Sequence, residues 1–568
     1  MTVKKMDHEM PGRIHPKIKD VTEQFKSGKM DRREFLRTST LLGLSAAAAY
    51  SIAGIADPTL EAKAATPKKG GILKVSMEVQ EMNDPAVYSW TPPSNVARQV
   101  CEYLVMTGPD NVTRPYLAES WSASDDLKTW TFKLRQGIKW HNGDDFNADD
   151  VMFNFTRWLD PNTGSSNVGL FDSMLTTVGE GDDAKKVMTE GALEKVDDYT
   201  IRLNLNSAVL SIPENLYNYP TMIVHRGFKG NLVEEPNGTG PFTLVDFAVG
   251  EKAVLKRVDQ PYWGEKYPDE PFWGGEVYLD EIHYFDHGAG SAAQLAAVAS
   301  GQVDMNYEFD IASLGMAQSI PGMKILEART AQTGVMRMNI TQKPFDDKRV
   351  RQALMYCCDA EKYNELIYQG RGDVGEHHHV SPIHPEYFAL NRIERDIDKA
   401  KLLLAEAGYP DGIELTIDVG NTNGPWQQQV CEILKDQAAE AGITLNLNLM
   451  PASKYWEIWA TTPFGITAWT HRPLGTMVLS LAYRSGVPWN ETGYSNPEFE
   501  KALDKAESLV DAEKRKAAME EVQKIIQDDA IIIQPIWQPK FFLASEKVMN
   551  VEAHPTQYHQ LYKVWIDS

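Results

Sequence analysis

A weakly apolar run, DRREFLRTSTLLGLSAAAAYSIAGIA at residues 31–56, most constrains what the rest of the chain can be. It is roughly long enough to cross a bilayer, because about 20 helical residues span the hydrocarbon. Its Ala, Ser and Gly residues bury little apolar surface, so it predicts a segment that is later discarded rather than a permanent anchor. No second apolar stretch approaches 18 residues. The remaining chain is therefore expected to fold as a soluble body.

Two adjacent arginines, Arg32 and Arg33, stand at the start of this run. Followed by Phe35 and Leu36, they resemble the twin-arginine export signal, which a receptor reads on proteins that cross the membrane already folded. Asp31 departs from that signal, which usually has Ser or Thr before the arginines. The resemblance implies the twin-arginine translocase as a partner during export.

Small residues at alternating positions, Ala62 and Ala64, predict signal-peptidase cleavage after Ala64. We therefore expect a signal peptide over residues 1–64, with a disordered polar leader before the apolar run. About 504 of the 568 residues would remain. Ordinary secretion and an uncleaved anchor are the alternatives.

The size and charge of the remaining chain bound its architecture and partners. About 504 residues exceed what one hydrophobic core usually supports, so two or three lobes are expected. The net charge of residues 65–568 is near −25. This excludes nucleic acid as a natural partner, because binding phosphate backbones requires clustered Lys and Arg. The same charge favours a soluble monomer.

The four cysteines, Cys101, Cys357, Cys358 and Cys431, form no C-x-x-C pattern. Metal or redox chemistry by thiols therefore has no support. Cys357 and Cys358 are adjacent and cannot easily bridge each other with ordinary disulfide geometry. We expect buried, packed thiols, and a disulfide between distant members stays open in an oxidising compartment.

Hydrophobic periodicity indicates alternating strands and helices. Trp130, Phe132 and Leu134 alternate with polar residues, as in a half-buried strand. Asn147 is a helix cap before an acidic first turn, and Ser94 is the expected cap of another helix. Repeated helix and strand patterns along the chain predict an α/β fold.

Four segments in order carry a family resemblance: LAESWSASDDLKTWTFKLRQGIKWHNGDDFNADDVMFNF, NGTGPFTLVDF, KPFDDKRVRQALMYCCDAEKY and AKLLLAEAGYPDG. With them the chain resembles the extracytoplasmic solute-binding proteins of the oligopeptide, dipeptide and nickel type. These are the ligand-capturing subunits of ABC importers. The resemblance covers essentially the whole chain after the leader.

The resemblance implies an α/β, two-lobed periplasmic binding protein (type II, cluster C) with an extra subdomain in the N-terminal lobe. Lobe I is expected at 66–108, 236–335 and 536–568, the inserted subdomain at 109–235, and lobe II at 336–535. A solute that touches both lobes would stabilise the closed form. The implied location is the periplasm, and the implied partners are a small-molecule or peptide solute and the ABC permease and ATPase complex.

The chain contains no motif that would support catalysis. G-x-S-x-G, H-E-x-x-H and G-x-x-x-x-G-K-[ST] are absent, and we expect neither an enzyme nor a cofactor. An exported hydrolase is the rival from another class. Trp121, Trp130 and Phe132 are expected to pack in a core, and His141 to be a satisfied turn residue.

The resemblance places the solute between the lobes, against the loop after the first strand, the segment that enters the second lobe and a Trp-containing loop late in that lobe. Carried onto this chain, it implies these solute contacts: Tyr88, Trp90, Tyr307, Trp469, His471 and Arg472. Core packing of the aromatic residues, and solvent around Arg472, are the alternatives.

Peptide-binding relatives commonly have an aspartate shortly after the tryptophan, where it pairs the amino group of the peptide. Here Trp469 is followed by THRPL, without an acid. A buried ammonium without a counter-charge is costly, whereas Arg472 offers a planar fork for a carboxylate or phosphate. We therefore expect an anionic or neutral polar group at this end of the solute. Modified peptides, opine-like conjugates and saccharides stay open, as does an acid from the other lobe.

The stretch EHHHVSPIHP at residues 376–385 raises a metal hypothesis, because neighbouring imidazoles bind Ni²⁺ or Zn²⁺. Adjacent residues point in different directions unless the loop folds around an ion. A polar surface loop over His377–His379 and His384 is the favoured interpretation, and no metal site is predicted.

Overall fold

A computed structural model of the chain describes residues 15–54, 66–179 and 185–567. The fold is mixed α/β, as predicted. Its helices are α1 Ile18–Lys26, α2 Arg32–Leu41, α3 Ala46–Ala53, α4 Thr91–Ala97, α5 Ala148–Leu159, α6 Ile212–Asn215, α7 Ser291–Ala299, α8 Leu314–Gln318, α9 Lys348–Cys357, α10 Ala360–Tyr368, α11 Ile397–Glu406, α12 Trp426–Ala439, α13 Ala452–Ile458, α14 Gly475–Tyr483, α15 Pro497–Glu507 and α16 Ala512–Asp529.

The strands form one large sheet and several small ones. They are β1 Ile72–Ser76, β2 Val105–Thr107, β3 Thr113–Pro115, β4 Ala118–Ala123, β5 Thr129–Leu134, β6 Leu175–Val178, β7 Lys185–Met188, β8 Leu193–Asp197, β9 Thr200–Asn204, β10 Phe242–Ala248, β11 Lys252–Arg257, β12 Glu281–Phe285, β13 Met305–Asn306, β14 Met323–Met338, β15 Asp373–Val374, β16 Ile413–Val419, β17 Ile443–Leu449, β18 Phe464–Trp469, β19 Ile532–Ile533, β20 Ile536–Ser545, β21 Val548–Met549 and β22 Trp565–Ile566.

The large sheet runs in the order β10-β11-β12-β1-β13-β20-β14-β18-β16-β17. β1 pairs in parallel with β12 and β13, and β16 pairs in parallel with β17. Parallel pairs need crossover connections, and helices such as α7 and α12 supply them. The two halves of the sheet meet where β20 and β14 pair.

Strands β14 and β20 carry the chain from one half of the large sheet to the other. They pair antiparallel from Met323↔Ser545 to Thr333↔Trp537, with an irregularity between Arg329 and Gln332. On its other edge, Thr333 pairs with Trp469 of β18. The boundaries predicted at 335/336 and 535/536 fall near the end of β14 and at the start of β20. The long strands thereby place Trp469 beside the junction between the halves.

Residues predicted as the inserted subdomain contain a separate antiparallel sheet, β4-β5-β9-β8. Trp130 and Phe132 of β5 are fully buried, which confirms the predicted alternation and packing. The Asn147 side chain and Asp150 form a capping box at the start of α5, as the acidic first turn indicated. His141 lies in a turn, where its Nε2 donates to the Gly240 carbonyl at 2.8 Å.

Two details differ from the sequence expectations. Helix α4 begins at Thr91 with Trp90 as its N-cap, rather than after Ser94, because Pro92 and Pro93 suit the first turn of a helix. The hydrophobic clusters also do not follow the predicted lobes. α7 packs with the β16–β18 side of the sheet, whereas α14, α15 and α16 share a cluster with the inserted subdomain.

All four cysteines are free and buried, as expected of packed thiols. Burial raises the pKa of Cys357 to about 12, so its thiol stays protonated at neutral pH. Across 15–54, 66–179 and 185–567, no helix combines the length and apolar character needed to cross a bilayer.

The leader is ordered where the structure describes it, which corrects the expectation of a disordered segment before the apolar run. Helix α1 lies within that polar part, and α2 and α3 follow it. Arg32 and Arg33 are exposed at the start of α2, whereas Phe35 and Leu36 are buried. The predicted cleavage site at Ala62 and Ala64 lies outside the described residues.

Candidate solute-binding cleft

Aromatic side chains from both halves of the molecule meet at one junction, which we call the aromatic seam. It consists of Trp90 and Tyr219 on one side and Trp456, Trp469, Arg472 and Trp489 on the other. The ring centroids of Trp90 and Trp456 are 5.9 Å apart, and those of Tyr219 and Trp489 are 6.1 Å apart. These contacts join the loop after β1 to α13, and the segment around Tyr219 to the loop after α14.

The aromatic seam is nearly closed. It encloses a cavity of about 20 Å³, and a second cavity of about 20 Å³ lies on the other side of Arg472. Each holds about one water molecule. Arg472 lines both cavities, so it stands at the centre of the junction. A solute larger than water requires the two sides to separate.

The Arg472 guanidinium is buried, with 2% of the residue exposed. It lies over aromatic faces, 5.0 Å from the Tyr219 centroid and 5.8 Å from the Trp489 centroid. Its Nη1 donates to the Thr470 and His471 carbonyls, while Nε has no hydrogen-bond partner among the described residues. Within the described chain, no carboxylate lies at ion-pair distance from it. A buried, incompletely partnered cation of this kind suits an anionic ligand group.

An acid does lie beside Trp469, although it is distant in sequence. The Trp469 Nε1 donates to Glu491 Oε1 at 3.0 Å. Arg337 and Thr467 both donate to the second oxygen of Glu491. Glu491 is 3% exposed and is thus committed to a buried ion pair with Arg337. It holds the indole in place and leaves no free oxygen for an incoming ammonium.

His471 is buried behind the aromatic seam rather than inside its cavity. Its Nδ1 accepts a hydrogen bond from the Ala331 backbone N–H at 3.0 Å. His384 supports the same segment, because its Nε2 donates to the Arg472 carbonyl at 3.0 Å. Burial lowers the pKa of His384 to about 4 and the pKa of His471 well below 6.5, so both rings are neutral at pH 7.

The histidine-rich loop is buried, so the prediction of a polar surface loop is wrong. His377, His378 and His379 are each at most 1% exposed. Each ring has its own partner: the Gln534 backbone for His377, Glu376 for His378 and the Tyr483 hydroxyl for His379. Positive φ at His377 and His379 turns the rings apart. No group of three potential metal ligands occurs in the described parts of the chain.

Tyr88 and Tyr307 line neighbouring cavities instead of the aromatic seam itself. Tyr88 borders an open cavity of about 250 Å³ that also reaches Trp90. Its buried hydroxyl has no hydrogen-bond partner among the described residues. Tyr307 borders a cavity of about 220 Å³ on the lobe I side. The structure thus brings Trp90, Trp469 and Arg472 together, and sets the two tyrosines around them.

Sequence reasoning missed Glu491 and three aromatic residues of the seam, Tyr219, Trp456 and Trp489. Glu491 follows Trp469 by 22 residues, and no local pattern marks their contact. The high content of 14 tryptophans was the one available signal, because aromatic residues are enriched at recognition surfaces.

Comparisons with known proteins find similar sequences and a similar fold. Residues 113–486 match the bacterial extracellular solute-binding proteins, family 5. The chain is 28% identical to heme-binding protein A of Haemophilus influenzae over 80% of this chain and 84% of that protein. It is 25% identical to the periplasmic oligopeptide-binding protein OppA of Escherichia coli, over 80% of this chain and 84% of OppA.

A solved structure shows the same two-lobed fold. The periplasmic binding protein DppA of Helicobacter pylori, solved in complex with the peptide STSA, superposes with a TM-score of 0.75. The sequences are 22% identical, and the match covers 88% of this chain and 99% of DppA. The predicted fold class is thereby confirmed.

Proposed function

Because the chain belongs to family 5 of the bacterial extracellular solute-binding proteins, we propose that it captures short peptides in the periplasm for an ABC importer. The solute would be held between the two lobes and delivered to a membrane permease with its ATPase. Named relatives support peptides: OppA of Escherichia coli and the dipeptide-binding protein of Pseudomonas aeruginosa both match this chain. The lobe ranges given above remain part of this proposal.

Arg472 in the aromatic seam carries the proposal. Its buried guanidinium stands between two cavities and lacks an acidic partner in the described chain. A peptide carboxylate would supply that partner and would be covered by Trp90, Trp469 and Trp489. The seam joins both halves, so a solute bound there stabilises the closed form by contacting both. The proposed activity is binding alone, without bond making or breaking.

The test is calorimetry on protein recovered from the periplasm of its host, with dipeptides, tripeptides, their C-terminal amides, and hemin. We expect peptides with a free carboxylate to bind. Arg472→Ala should weaken them about 10- to 150-fold, which corresponds to about 1.5–3 kcal/mol for a hydrogen bond to a charged group. Arg392→Ala, at an exposed arginine of lobe II, is the matched control. Equal affinity of Arg472→Ala and wild type would contradict the proposed role of Arg472.

Export by the twin-arginine route is the second part of the proposal. The exposed position of Arg32 and Arg33 on α2 supports it, because a receptor must reach both side chains. Replacing both with Lys should keep the full chain in the cytoplasm, as measured by cell fractionation. The periplasmic product of the wild type should begin at residue 65 by intact mass and be a monomer by light scattering. Unchanged export of the double variant would contradict this route.

A further inference from the structure

The leader packs into the gap between the inserted subdomain and lobe II. On the subdomain side, Trp121 Nε1 donates to the Leu41 carbonyl at 2.9 Å, and the Tyr50 hydroxyl donates to Asp110 at 2.8 Å. On the lobe II side, Arg515 forms an ion pair with Glu34 of α2. The leader therefore bridges the two sides of the proposed cleft.

Buried charges line this bridge, and we call them the charged seam: Glu34 and Arg37 of the leader, Glu214 of the subdomain, and Glu386 and Arg515 of lobe II. Arg37 is 2% exposed. Its Nη1 donates to Glu214 at 3.0 Å and its Nε donates to Glu34 at 2.9 Å. Although burial opposes its charge, the nearby Glu214, Glu34 and Glu386 raise the pKa of Arg37.

Two of the carboxylates come from opposite sides of the cleft and are incompletely partnered. Glu214 and Glu386 are each 1% exposed. Glu214 Oε1 and Glu386 Oε2 have no hydrogen-bond partner in the described residues. The other oxygen of Glu386 accepts from the Thr476 backbone N–H at 3.0 Å, which fixes the carboxylate at the start of α14. Arg37 pairs directly with Glu214, and Glu386 is near enough to favour its charge.

Glu214 also belongs to the proposed solute cleft. It lines the same cavity of about 20 Å³ as Arg472, His471 and Met477. Burial raises the pKa of Glu214 to about 7, even though Arg37 opposes the shift. Loss of the leader removes that cation and leaves Glu214, on this cavity, without its ion-pair partner. Buried charges without a counter-charge are costly, so a replacement cation would be bound favourably there.

We propose that Glu214 and Glu386 form a subsite for the cationic group of the solute, and that Arg37 occupies this subsite until the leader is removed. This inference rests on the proposed function and adds the acid that the sequence lacks after Trp469. The ligand chemistry is an ammonium or guanidinium group, either a free amino terminus or a basic side chain. With Arg472 on the same cavity, the cleft would hold both ends of a short zwitterionic peptide.

The experiment uses the full chain with a protease site placed within residues 55–65 and cut after folding. Before the cut, Ala-Ala-Ala should bind at least tenfold more weakly than after the cut and removal of the leader, which is separated in urea before the body is refolded. After removal, acetylation of the amino terminus should weaken binding at least 30-fold. Glu214→Gln should reduce this discrimination to less than threefold, and Glu386→Gln serves as a second variant if the first does not fold.

A third peptide, acetyl-Ala-Arg-Ala, distinguishes the two sources of the cation. Affinity equal to that of Ala-Ala-Ala assigns the subsite to a basic side chain, whereas weak binding assigns it to the amino terminus. Full discrimination retained by both Glu214→Gln and Glu386→Gln would overturn the subsite.

Whether Arg37 holds the leader in the subsite is tested without any solute. After the cut, the wild-type leader should co-elute with the body in gel filtration, and the leader of Arg37→Gln should separate. Lys26→Gln, at an exposed residue of α1, should co-elute like the wild type. Co-elution of the Arg37→Gln leader would overturn the role of Arg37. If no peptide binds the cut body, the proposed peptide-binding function is contradicted. The co-elution experiment still tests separately whether Arg37 holds the leader.

Discussion

The aromatic seam and the charged seam join the same two sides of the molecule by opposite means. The aromatic seam uses uncharged rings around Arg472, whose Nε lacks a partner in the described residues. In the charged seam, Arg37 pairs with Glu34 of the leader and with Glu214 of the opposing wall. The aromatic seam thus contains a cation, Arg472, that lacks an acidic partner in the described residues. The charged seam contains carboxylates that are already paired with a cation, Arg37.

This difference indicates which of the two junctions is suited to release one bound group and bind another. Among the described residues Arg472 has no ion pair to break when the aromatic surfaces separate, whereas opening the charged seam breaks the ion pair between Arg37 and Glu214. Leader removal would therefore change the charged seam more than the aromatic seam. The predictions below test this contrast, beginning with Glu491, the acid that contacts Trp469 of the aromatic seam.

Glu491→Ala should lower the free energy of unfolding by about 3–5 kcal/mol, the usual cost of breaking a buried ion pair from one side. The substitution leaves Arg337 buried without its carboxylate and removes the acceptor of Trp469. Urea denaturation at pH 7 measures the change. If the loss is this large, Glu491 is a structural acid and is not available to a solute.

The matched control is Glu521→Ala, which removes the exposed partner of Lys505. Its effect should stay below about 1 kcal/mol, because exposed ion pairs contribute little. Similar losses in both variants would show that the Glu491 pair is not the buried anchor of the aromatic seam.

Much of the fold could be predicted because it rests on local patterns. The alternation in β5 and the capping of α5 by Asn147 depend on residues within a few positions, and both are confirmed. The start of α4 was missed because two prolines outweighed Ser94 as a cap. The order of the four family segments indicated the two-lobed architecture, which spacing alone could not have done.

The site was less predictable because its contacts join residues far apart in the chain. Arg37 contacts Glu214 across 177 positions, and Trp469 contacts Glu491 across 22. The histidine loop is polar in sequence and yet buried, because each ring has at least one hydrogen-bond partner within the fold. The residues of a polar stretch do not by themselves indicate that other elements of the fold will cover it.

The contributions of His377 and Glu214 to stability should respond to pH in opposite directions. Burial, with a smaller effect of His378, lowers the pKa of His377 in the histidine-rich loop from 6.5 to about 3. Its neutral form contributes stability that is complete above pH 6.5 and is lost as the pH falls toward 3, by at most about 1.4 kcal/mol per pH unit. Glu214 in the charged seam has a raised pKa, so its folded form binds an extra proton between pH 4.5 and about 7. Stability from Glu214 therefore falls as the pH rises through that window.

His377→Asn isolates the first effect. Asn tolerates the positive φ of 60° at this position and can accept the hydrogen bond from the Gln534 backbone. Relative to the variant, the wild type should lose stability from pH 6.5 to 4.5 in a series of urea denaturations. The free energy of unfolding of Glu214→Gln should instead increase relative to that of the wild type as the pH rises from 4.5 to 7. Parallel profiles for wild type and His377→Asn would refute the assignment of this slope to His377.

Trp469→Phe should have the smallest effect and separates the ring from its hydrogen bond. The phenyl group keeps most of the aromatic surface but cannot donate to Glu491, whose other donors, Arg337 and Thr467, remain. We expect a loss of about 1.5–3 kcal/mol in unfolding free energy, which is the contribution of one hydrogen bond to a charged group. Peptide affinity should change less than in Arg472→Ala, because the seam keeps its cation. A larger fall in affinity than in stability would mean that the indole N–H, rather than the ring, contacts the solute, and that the aromatic seam is more polar in its bound state than in the closed structure.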